Sequence, residues 1–438
     1  MKHKIKLGLI GLGTVGSKVL DLIFKNKDLI ERKIGALIEF SYICDRYKNR
    51  FNLINKMFYK NVRFTTDYQE VINSSDVDIV IELIGGRNVA KKIILESLEK
   101  NKHVVTANKA VLAENWDEIF SLARRKQKLV YFEASVGAGI PIIQALNEGL
   151  AANNISTIIG ILNGTCNYIL TKMTTEHVSF DLALKEAQRK GFAETNPVFD
   201  IRGIDTLHKL VILSSIAWGS KIDIGTVYCE GISNLKIDDI IFAYDEFDYV
   251  IKLLGIARRV NNELELQVRP CLISKKHPFS SVENEYNAIL LNGDACGEII
   301  FYGKGAGGYP AASAVVSDII FLSRQVAIDT AGRIPYVNYD PDSKQDYLDI
   351  NDTYGCYYVR FTTVDKPGVL SQISGILGKH KVSIASVYQK EQLSRYRRGV
   401  PILMLTHLTR EGAIRNAINE IDKLSIVKSK TVLLKIIF

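Results

Sequence analysis

Nowhere in this 438-residue chain do ~18 or more apolar residues run together, the length a membrane-spanning helix needs. That absence argues against a helical membrane protein. Cysteine is sparse: Cys44, Cys166, Cys229, Cys271, Cys296 and Cys356 are scattered and never stand as a CxxC pair. Such spacing argues against a disulfide framework and a thiolate zinc site, and it fits a reducing cytosol, so the expected location is cytoplasmic. Internal repeats and long low-complexity segments are missing too. The opening MKHKIKLGLIGLGTVG has the lysines and apolar run of a secretory leader, but glycines interrupt the run and no small-residue cleavage site follows. It reads as a first buried strand.

Most of the chain also lacks an excess of either charge. The net charge is +8, and residues 379–438, with 12 Lys/Arg and 4 Asp/Glu, account for all of it. A basic tail can signal nucleic acid. Here the charges are spread among apolar positions with little aromatic interleaving, so neither nucleic acid nor membrane is an expected partner.

What is present is ordinary for globular protein, 47% hydrophobic and 24% charged. The length calls for two to four compact units of ~100–200 residues each. Over residues 1–130, strand-like runs at Lys4–Ile10, Glu39–Cys44, Ile79–Leu83 and His103–Thr106 alternate with helical patterns at Ser17–Lys25, Ala90–Asn101 and Asn115–Lys126. The alternation predicts a parallel sheet covered by helices on both faces. Farther on, Asp181–Lys190, Ile204–Ala217 and Ser313–Thr330 read as helices and Leu264–Ile273 as a strand. Pro335–Thr353 holds two prolines and five aspartates with little periodicity, the composition of a linker.

Gly11-Leu12-Gly13-Thr14-Val15-Gly16 follows the first strand and opens a helix, the GxGxxG turn of a dinucleotide site. Gly11 permits the turn, Gly13 lets backbone approach a pyrophosphate, and Gly16 allows helix and strand to pack closely. Asp45 ends the next strand and could bind ribose hydroxyls, whereas Arg46 beside it could hold a 2′-phosphate. NAD and NADP therefore both stay open. Gly85 and Lys109 lie at two further strand ends, where open α/β sheets bind ligands. A lysine that begins a helix opposes the macrodipole, and an anionic ligand would resolve that conflict.

The most specific stretch is AQRKGFAETNPVFDIRGIDTLHK, Ala187–Lys209. Asp205 and Lys209 are four apart on one helix and share a face. A surface ion pair would look the same. The apolar run Leu210–Ile216 points instead to a buried helix, and lysine is the side chain whose pKa shifts readily for acid–base work. This segment resembles the homoserine dehydrogenase signature at Ala187, Gly191, Phe192, Ala193, Asn196, Pro197, Asp200, Ile201, Gly203, Asp205 and Lys209. The blocks GLGTVG, ELIGG (82–86), TANKA (106–110), EASVGAGIP (133–141), NGTCNYIL (163–170) and GKGAGGYPAASAVVSD (303–318) are similar to the same family. The resemblance covers essentially the whole chain. It departs at Cys166 and Ala311, where Thr is usual or common, at Lys304 where Pro is common, and at Cys44, where many relatives have Arg. The last departure tilts the reading toward tolerance of NAD.

The resemblance implies reversible reduction of L-aspartate 4-semialdehyde to L-homoserine with NADP or NAD. It makes Lys209 the proton donor, with Lys109 and Asp205 also catalytic. Glu194, Asp205, Asp200 and Thr165 would hold substrate. Gly11, Gly13, Thr14, Val15, Gly16, Asp45, Arg46, Gly85, Lys109, Gly191, Gly305 and Gly307 would contact cofactor. Glu133, Val136, Ala138 and Ile140 match a structural monovalent cation site, thought to hold sodium through backbone oxygens. A catalytically silent amino-acid sensor on the same fold is the alternative. Another amino-acid or hydroxy-acid dehydrogenase is a second rival, which the 191–209 match disfavours.

From Tyr357 to Phe438 the pattern is strand, loop, helix, strand, strand, helix, strand, similar to an ACT domain, a ferredoxin-like βαββαβ unit. Its first loop, Asp365–Leu370, precedes a helix that could receive an amino acid's carboxylate. The expected architecture is α/β and α+β multidomain. It comprises a Rossmann-type parallel sheet over 1–135, a mixed α+β catalytic and dimerisation domain over 136–335, a linker over 336–353 and an ACT domain over 354–438. The expected partners are the small-molecule substrate, an amino-acid effector (L-threonine) and further copies in a homodimer or homotetramer. A chain ending near residue 340 is expected to stay active and lose inhibition, provided the tail is not needed for folding or assembly.

Overall fold

Short β-branched runs separated by amphipathic segments build the first sheet. In the computed structural model, which describes residues 2–54, 61–389 and 399–438, it contains β1 (Lys4–Ile10), β2 (Leu37–Cys44), β3 (Arg63–Thr65), β4 (Ile79–Glu82), β5 (His103–Thr106) and β6 (Val130–Tyr131). Residues 390–398 of the basic stretch lie outside the described residues. All six strands are parallel, in the order β3-β2-β1-β4-β5-β6. The order reverses between β1 and β4, which opens a crevice at their carboxyl ends. Every residue of β4 and β5 is buried, as strands covered on both faces must be. The helices are α1 (Thr14–Lys25), α2 (Lys27–Ile34), α3 (Tyr68–Asn73), α4 (Asn88–Glu99), α5 (Lys109–Glu114) and α6 (Trp116–Lys126). α1 buries Gly16, Val19, Leu20 and Ile23, a stripe at helical spacing. The pattern had not shown α2, β3, α3 or β6, whereas the helix expected to begin at Lys109 is α5. α2 is the clearest case: its sequence, KDLIERKI, buries only Ile30 and Ile34, too little for periodicity to show.

The described residues form two compact units, neither contiguous in sequence. One comprises 1–162, 207–225 and 285–345; the other comprises 163–206, 226–284 and 346–438. The first unit continues from its sheet into the short α7 (Ile142–Gln144) and β7 (Ile155–Ile161). The second opens with α8 (Gly164–Glu176), α9 (Phe180–Arg189) and α10 (Val198–Ile201), and the chain passes back to the first through α11 (Ile204–Ala217). It then adds β8 (Tyr228–Cys229), α12 (Ile237–Phe247) and the long antiparallel hairpin β9 (Tyr249–Val260) and β10 (Glu263–Ser274). Residues 285–345 rejoin the first unit as the hairpin β11 (Tyr286–Gly293) and β12 (Gly297–Lys304), with β11 antiparallel to β7, and as the long helix α13 (Gly308–Ala327). Compactness thus groups α13 with the dinucleotide unit, where it bonds to α1, α2 and the segment before β1. The Tyr309 hydroxyl donates to Asp21 (2.7 Å), Arg324 Nε to the Lys33 carbonyl (2.7 Å), and the Lys2 N–H to the Ala327 carbonyl (2.8 Å).

The C-terminal part of the second unit holds β13 (Asp346–Tyr347), β14 (Tyr354–Thr363), α14 (Val369–Lys379), β15 (Ile384–Gln389), β16 (Val400–Thr406), β17 (Thr409–Arg410), α15 (Glu411–Ile421) and β18 (Val427–Ile436). Strand order β18-β14-β16-β15 with two helices is the expected ferredoxin-like arrangement. Val369, Ile373 and Leu377 of α14 and Ile414, Ala417, Ile418 and Ile421 of α15 form its core with Tyr357, Val359, Phe361, Ile402 and Met404. The spacings i, i+4 and i+3 bring both apolar faces onto one side of the sheet. β18 also pairs in parallel with β10, Cys271 opposite Lys435 and Leu272 opposite Ile436. The C-terminal fold is therefore continuous with the β9–β10 hairpin. Among the described residues no helix is long and apolar enough to cross a membrane.

Candidate active site

The glycine turn leaves β1 and enters α1. Gly11 has φ +109°, and a Cβ there would stand 2.6 Å from the Leu83 carbonyl oxygen. A Cβ on Gly16 would stand 2.0 Å from the Gly11 oxygen, whereas one on Gly13 would meet nothing within 4 Å. Gly11 and Gly16 are thus required by packing, and Gly13 faces open space. Gly13 is the N-cap of α1 with no side-chain cap, so the first amides, at Thr14 and Val15, are available to an anion. Gly307 begins α13 in the same way, with φ +124°. A Cβ on Gly308 would lie 3.2 Å from Thr14 Cγ2, so the two helix N-termini adjoin. Their dipoles make one electropositive cradle that fits a dinucleotide pyrophosphate. Gly305 packs against Asn287 on β11, which a side chain at 305 would strike.

Asp45 is only 4% exposed. Its carboxylate accepts the Leu12 N–H (2.7 Å), the Tyr47 N–H (2.9 Å) and Arg50 Nη1 (3.0 Å). Burial opposes ionisation, but those donors hold the carboxyl below its ordinary range. Asp45 braces the glycine turn from beneath. Arg46 is exposed, its guanidinium over the Tyr47 ring at 4.5 Å. Gly85 stands at φ +72° in the turn after β4, and Lys109 is the first residue of α5, half-buried.

In the second unit Asn163 gathers the candidate substrate groups. Its Nδ2 donates to Asp200 (2.8 Å) and to Asp205 (2.8 Å), while its Oδ1 caps α8 by accepting the Cys166 N–H (2.7 Å). The Thr165 hydroxyl donates to the Phe192 carbonyl (2.6 Å), tying α8 to the turn at Gly191, which has φ +77°. Glu194 is exposed. Asn163 opens the NGTCNYIL block, and sequence alone assigns it no role. An Asn directly after a strand and before a helix was the available signal. In the first unit, Lys209 is 7% exposed, and its Nζ donates to the Leu162 carbonyl (2.6 Å).

Glu133, Val136, Ala138 and Ile140 lie in a buried turn in which Gly137 (φ +70°) and Ala138 (φ +43°) are both left-handed. The Glu133 carboxylate accepts the Ile143 and Gln144 N–H groups (2.9 Å each), and its backbone oxygen accepts the Val136 N–H (3.4 Å). Burial pushes the Glu133 carboxyl up to about 7. Among the described residues no cluster of three or more His, Cys, Asp or Glu could hold a metal.

Residues 11–133 match the sequence model "Homoserine dehydrogenase, NAD binding domain", 141–320 that of homoserine dehydrogenase, and 357–425 that of the ACT domain. A homoserine dehydrogenase of Neisseria gonorrhoeae is 41% identical, over 98% of this chain and 98% of its own. The chain belongs to the homoserine dehydrogenase family. A homoserine dehydrogenase of Pseudomonas aeruginosa is 40% identical, over 99% of this chain and 98% of its own. The crystal structure of a homoserine dehydrogenase from Thiobacillus denitrificans matches with TM-score 0.92 and 41% identity, covering 99% of this chain and 98% of that one. A hyperthermophilic archaeal homoserine dehydrogenase in complex with NADPH matches with TM-score 0.60 and 26% identity, over 72% of this chain and 97% of that one. As a homoserine dehydrogenase the chain is an NAD(P)-dependent oxidoreductase acting on a CH–OH group, interconverting L-homoserine and L-aspartate 4-semialdehyde. Nothing among these relatives supports the silent-sensor alternative.

Proposed function

We propose that Lys209 donates the proton as L-aspartate 4-semialdehyde is reduced, with Lys109 assisting. A nicotinamide cofactor supplies the hydride when bound. As the aldehyde carbon is reduced, negative charge grows on its oxygen. An ammonium group directed at that oxygen stabilises the charge and delivers the proton. The observation that carries this reading is the Asn163 amide shared by Asp200 and Asp205, four residues before the buried Lys209. The Asn163 amide holds both carboxylates, and these are the groups proposed to meet the substrate's ammonium, with Glu194 and Thr165 completing its surroundings. The test compares NADP and NAD reduction driven by homoserine, in the native chain and in Lys209→Ala.

Gly11, Gly13, Thr14, Val15, Gly16, Gly85, Lys109, Gly191, Gly305 and Gly307 are proposed to hold the cofactor. The open space over Gly13 supports this. For the adenosine end we propose that both cofactors are used. Asp45 serves ribose hydroxyls with whatever acceptor capacity its three donors leave, and exposed Arg46 is available to a 2′-phosphate. A preference for NADP above about a thousandfold, or ~4 kcal/mol, would overturn that. A monovalent cation on the backbone oxygens of Glu133, Val136, Ala138 and Ile140 is proposed from the left-handed turn. Equal melting temperatures in sodium and in a bulky organic cation would remove it.

We also place the domain boundaries at 135/136, 335/336 and 353/354, and propose a homodimer or homotetramer regulated through the ACT domain. L-threonine is the proposed effector, received at the uncapped N-terminus of α14 beside Gly368. Unchanged activity in millimolar threonine would remove that assignment.

A further inference from the structure

Three polar side chains at the ends of β4 and β5 form a hydrogen-bonded circuit that the proton-transfer chemistry does not use. Glu82 ends β4 and is fully buried. One carboxylate oxygen accepts the Ile84 N–H (2.9 Å), and the Gly85 N–H also points at the group. The other oxygen accepts the Thr106 hydroxyl from the end of β5 (2.6 Å). The Thr106 oxygen in turn accepts the Asn108 N–H (3.1 Å). Asn108 closes the circuit by donating its Nδ2 to the Gly86 carbonyl (2.7 Å), while its Oδ1 caps α5 through the Val111 N–H (3.2 Å). Thr106 thus bridges the other two groups: its hydroxyl donates to Glu82 and its oxygen accepts from Asn108. Burial pushes the Glu82 carboxyl up.

Two consequences follow. The circuit locks the turn after β4 to the turn after β5, at the carboxyl ends of adjacent strands, of which β4 borders the switch point. It also fixes where α5 begins, and Lys109 is the first residue of α5. A cation at that place is opposed by the helix dipole, so Lys109 is held there by its surroundings and not by helix preference. We propose that Glu82, Thr106 and Asn108 are positioning residues that set the Lys109 ammonium for the reaction. This rests on the reading of Lys109 as an active-site lysine.

The experiment measures kcat, KM for homoserine and for NADP, and melting temperature in full-length Thr106→Val, Thr106→Ser, Asn108→Asp and Lys109→Ala. Thr106→Val keeps the shape and deletes the bridging hydroxyl. Asn108→Asp keeps the α5 cap and removes the donor to Gly86. Each is expected to lower kcat by about 10–100-fold, the scale of a reacting group displaced by about 1 Å, with both KM values little changed. Thr106→Ser is expected to restore turnover. In the Lys109→Ala background Thr106→Val should add no further loss, because both act through one ammonium. Native kcat in Thr106→Val and Asn108→Asp, or losses that add to that of Lys109→Ala, would overturn the proposal, whatever happens to the melting temperature. If Thr106→Val does not fold, Asn108→Asp decides by the same two criteria. Native turnover in Lys109→Ala would instead sink the reading of Lys109 and the proposal with it. An impaired Lys109→Ala beside an unimpaired Thr106→Val sinks the circuit alone.

Discussion

At the scale of single residues, two glycines three positions apart illustrate different constraints. A side chain on Gly13 meets open space, so Gly13→Val should fold normally and lose cofactor affinity, as read by quenching of protein fluorescence on NADP addition. Gly16→Ala should do the reverse, lowering the melting temperature because its methyl group would stand 2.0 Å from the Gly11 oxygen. For Lys209→Ala we expect turnover to fall by roughly 10²–10⁴-fold, the scale of a positioned general acid, with cofactor binding retained. Near-native turnover would remove Lys209 from the mechanism. His103 supplies a pH test remote from the chemistry. Burial, helped by Lys128, pushes its imidazole down to about 3, and Nδ1 accepts the Leu129 N–H (3.1 Å). The folded state therefore binds fewer protons than the unfolded chain between the ordinary histidine value and about 3. Its contribution to stability is complete above about pH 6.5 and is lost as pH falls toward 3, with a slope of up to ~1.4 kcal/mol per pH unit. His103→Gln should flatten the acid limb of stability against pH by up to one proton. An unchanged slope would show that His103 is protonated in the fold.

At the scale of elements, the hydrophobic pattern located β1, β2, β4, β5 and β10 and the helices α1, α4, α6, α9, α11 and α13, but not β7, α8, α12, β9, β11 or β12, and the interactions that join the elements were out of its reach. Arg269 on β10 donates to both Glu411 oxygens (2.7 and 2.8 Å), with side chains 1% and 0% exposed. The Tyr357 hydroxyl donates to the same carboxylate (2.7 Å). Arg360 on β14 grips Asp239 of α12 through Nε (2.6 Å) and Nη2 (3.0 Å). Removing one member of such a pair strands a buried charge, so Glu411→Gln should cost ~3–5 kcal/mol in denaturant unfolding. A loss below about 1 kcal/mol would show that water reaches Arg269. These partners lie 142 and 121 positions apart in sequence. A local pattern of charges carries no information about such pairing.

At the scale of the molecule, those pairs and the β10–β18 junction change what a truncated chain should do. Ending near residue 340 would remove Glu411, Arg360 and Lys435, the partners of Arg269, Asp239 and Glu265, and would strip β18 from β10 and expose the surface that the C-terminal fold covers. The expected outcome is loss of soluble enzyme, and a truncated chain of native stability would contradict it. Regulation is therefore better measured on the full chain. A threonine effect on a stable enzyme requires coupling of ~1–3 kcal/mol between the effector loop and the reaction. The dinucleotide turn and the parallel sheet were legible in sequence because each rests on local spacing: period two, period 3.6, or glycines at fixed offsets. The 187–209 signature and the ferredoxin-like end were legible through resemblance to known families. Tertiary structure alone decided that residues 285–345 group with the dinucleotide sheet and that Asp45 braces the Gly11–Gly13 turn. It alone brought Asp200 and Asp205 onto one Asn163 amide and joined the C-terminal sheet to β10. Each of these depends on which distant groups meet in a low-dielectric interior, where a polar atom must find a partner and the partner's place is set by the fold.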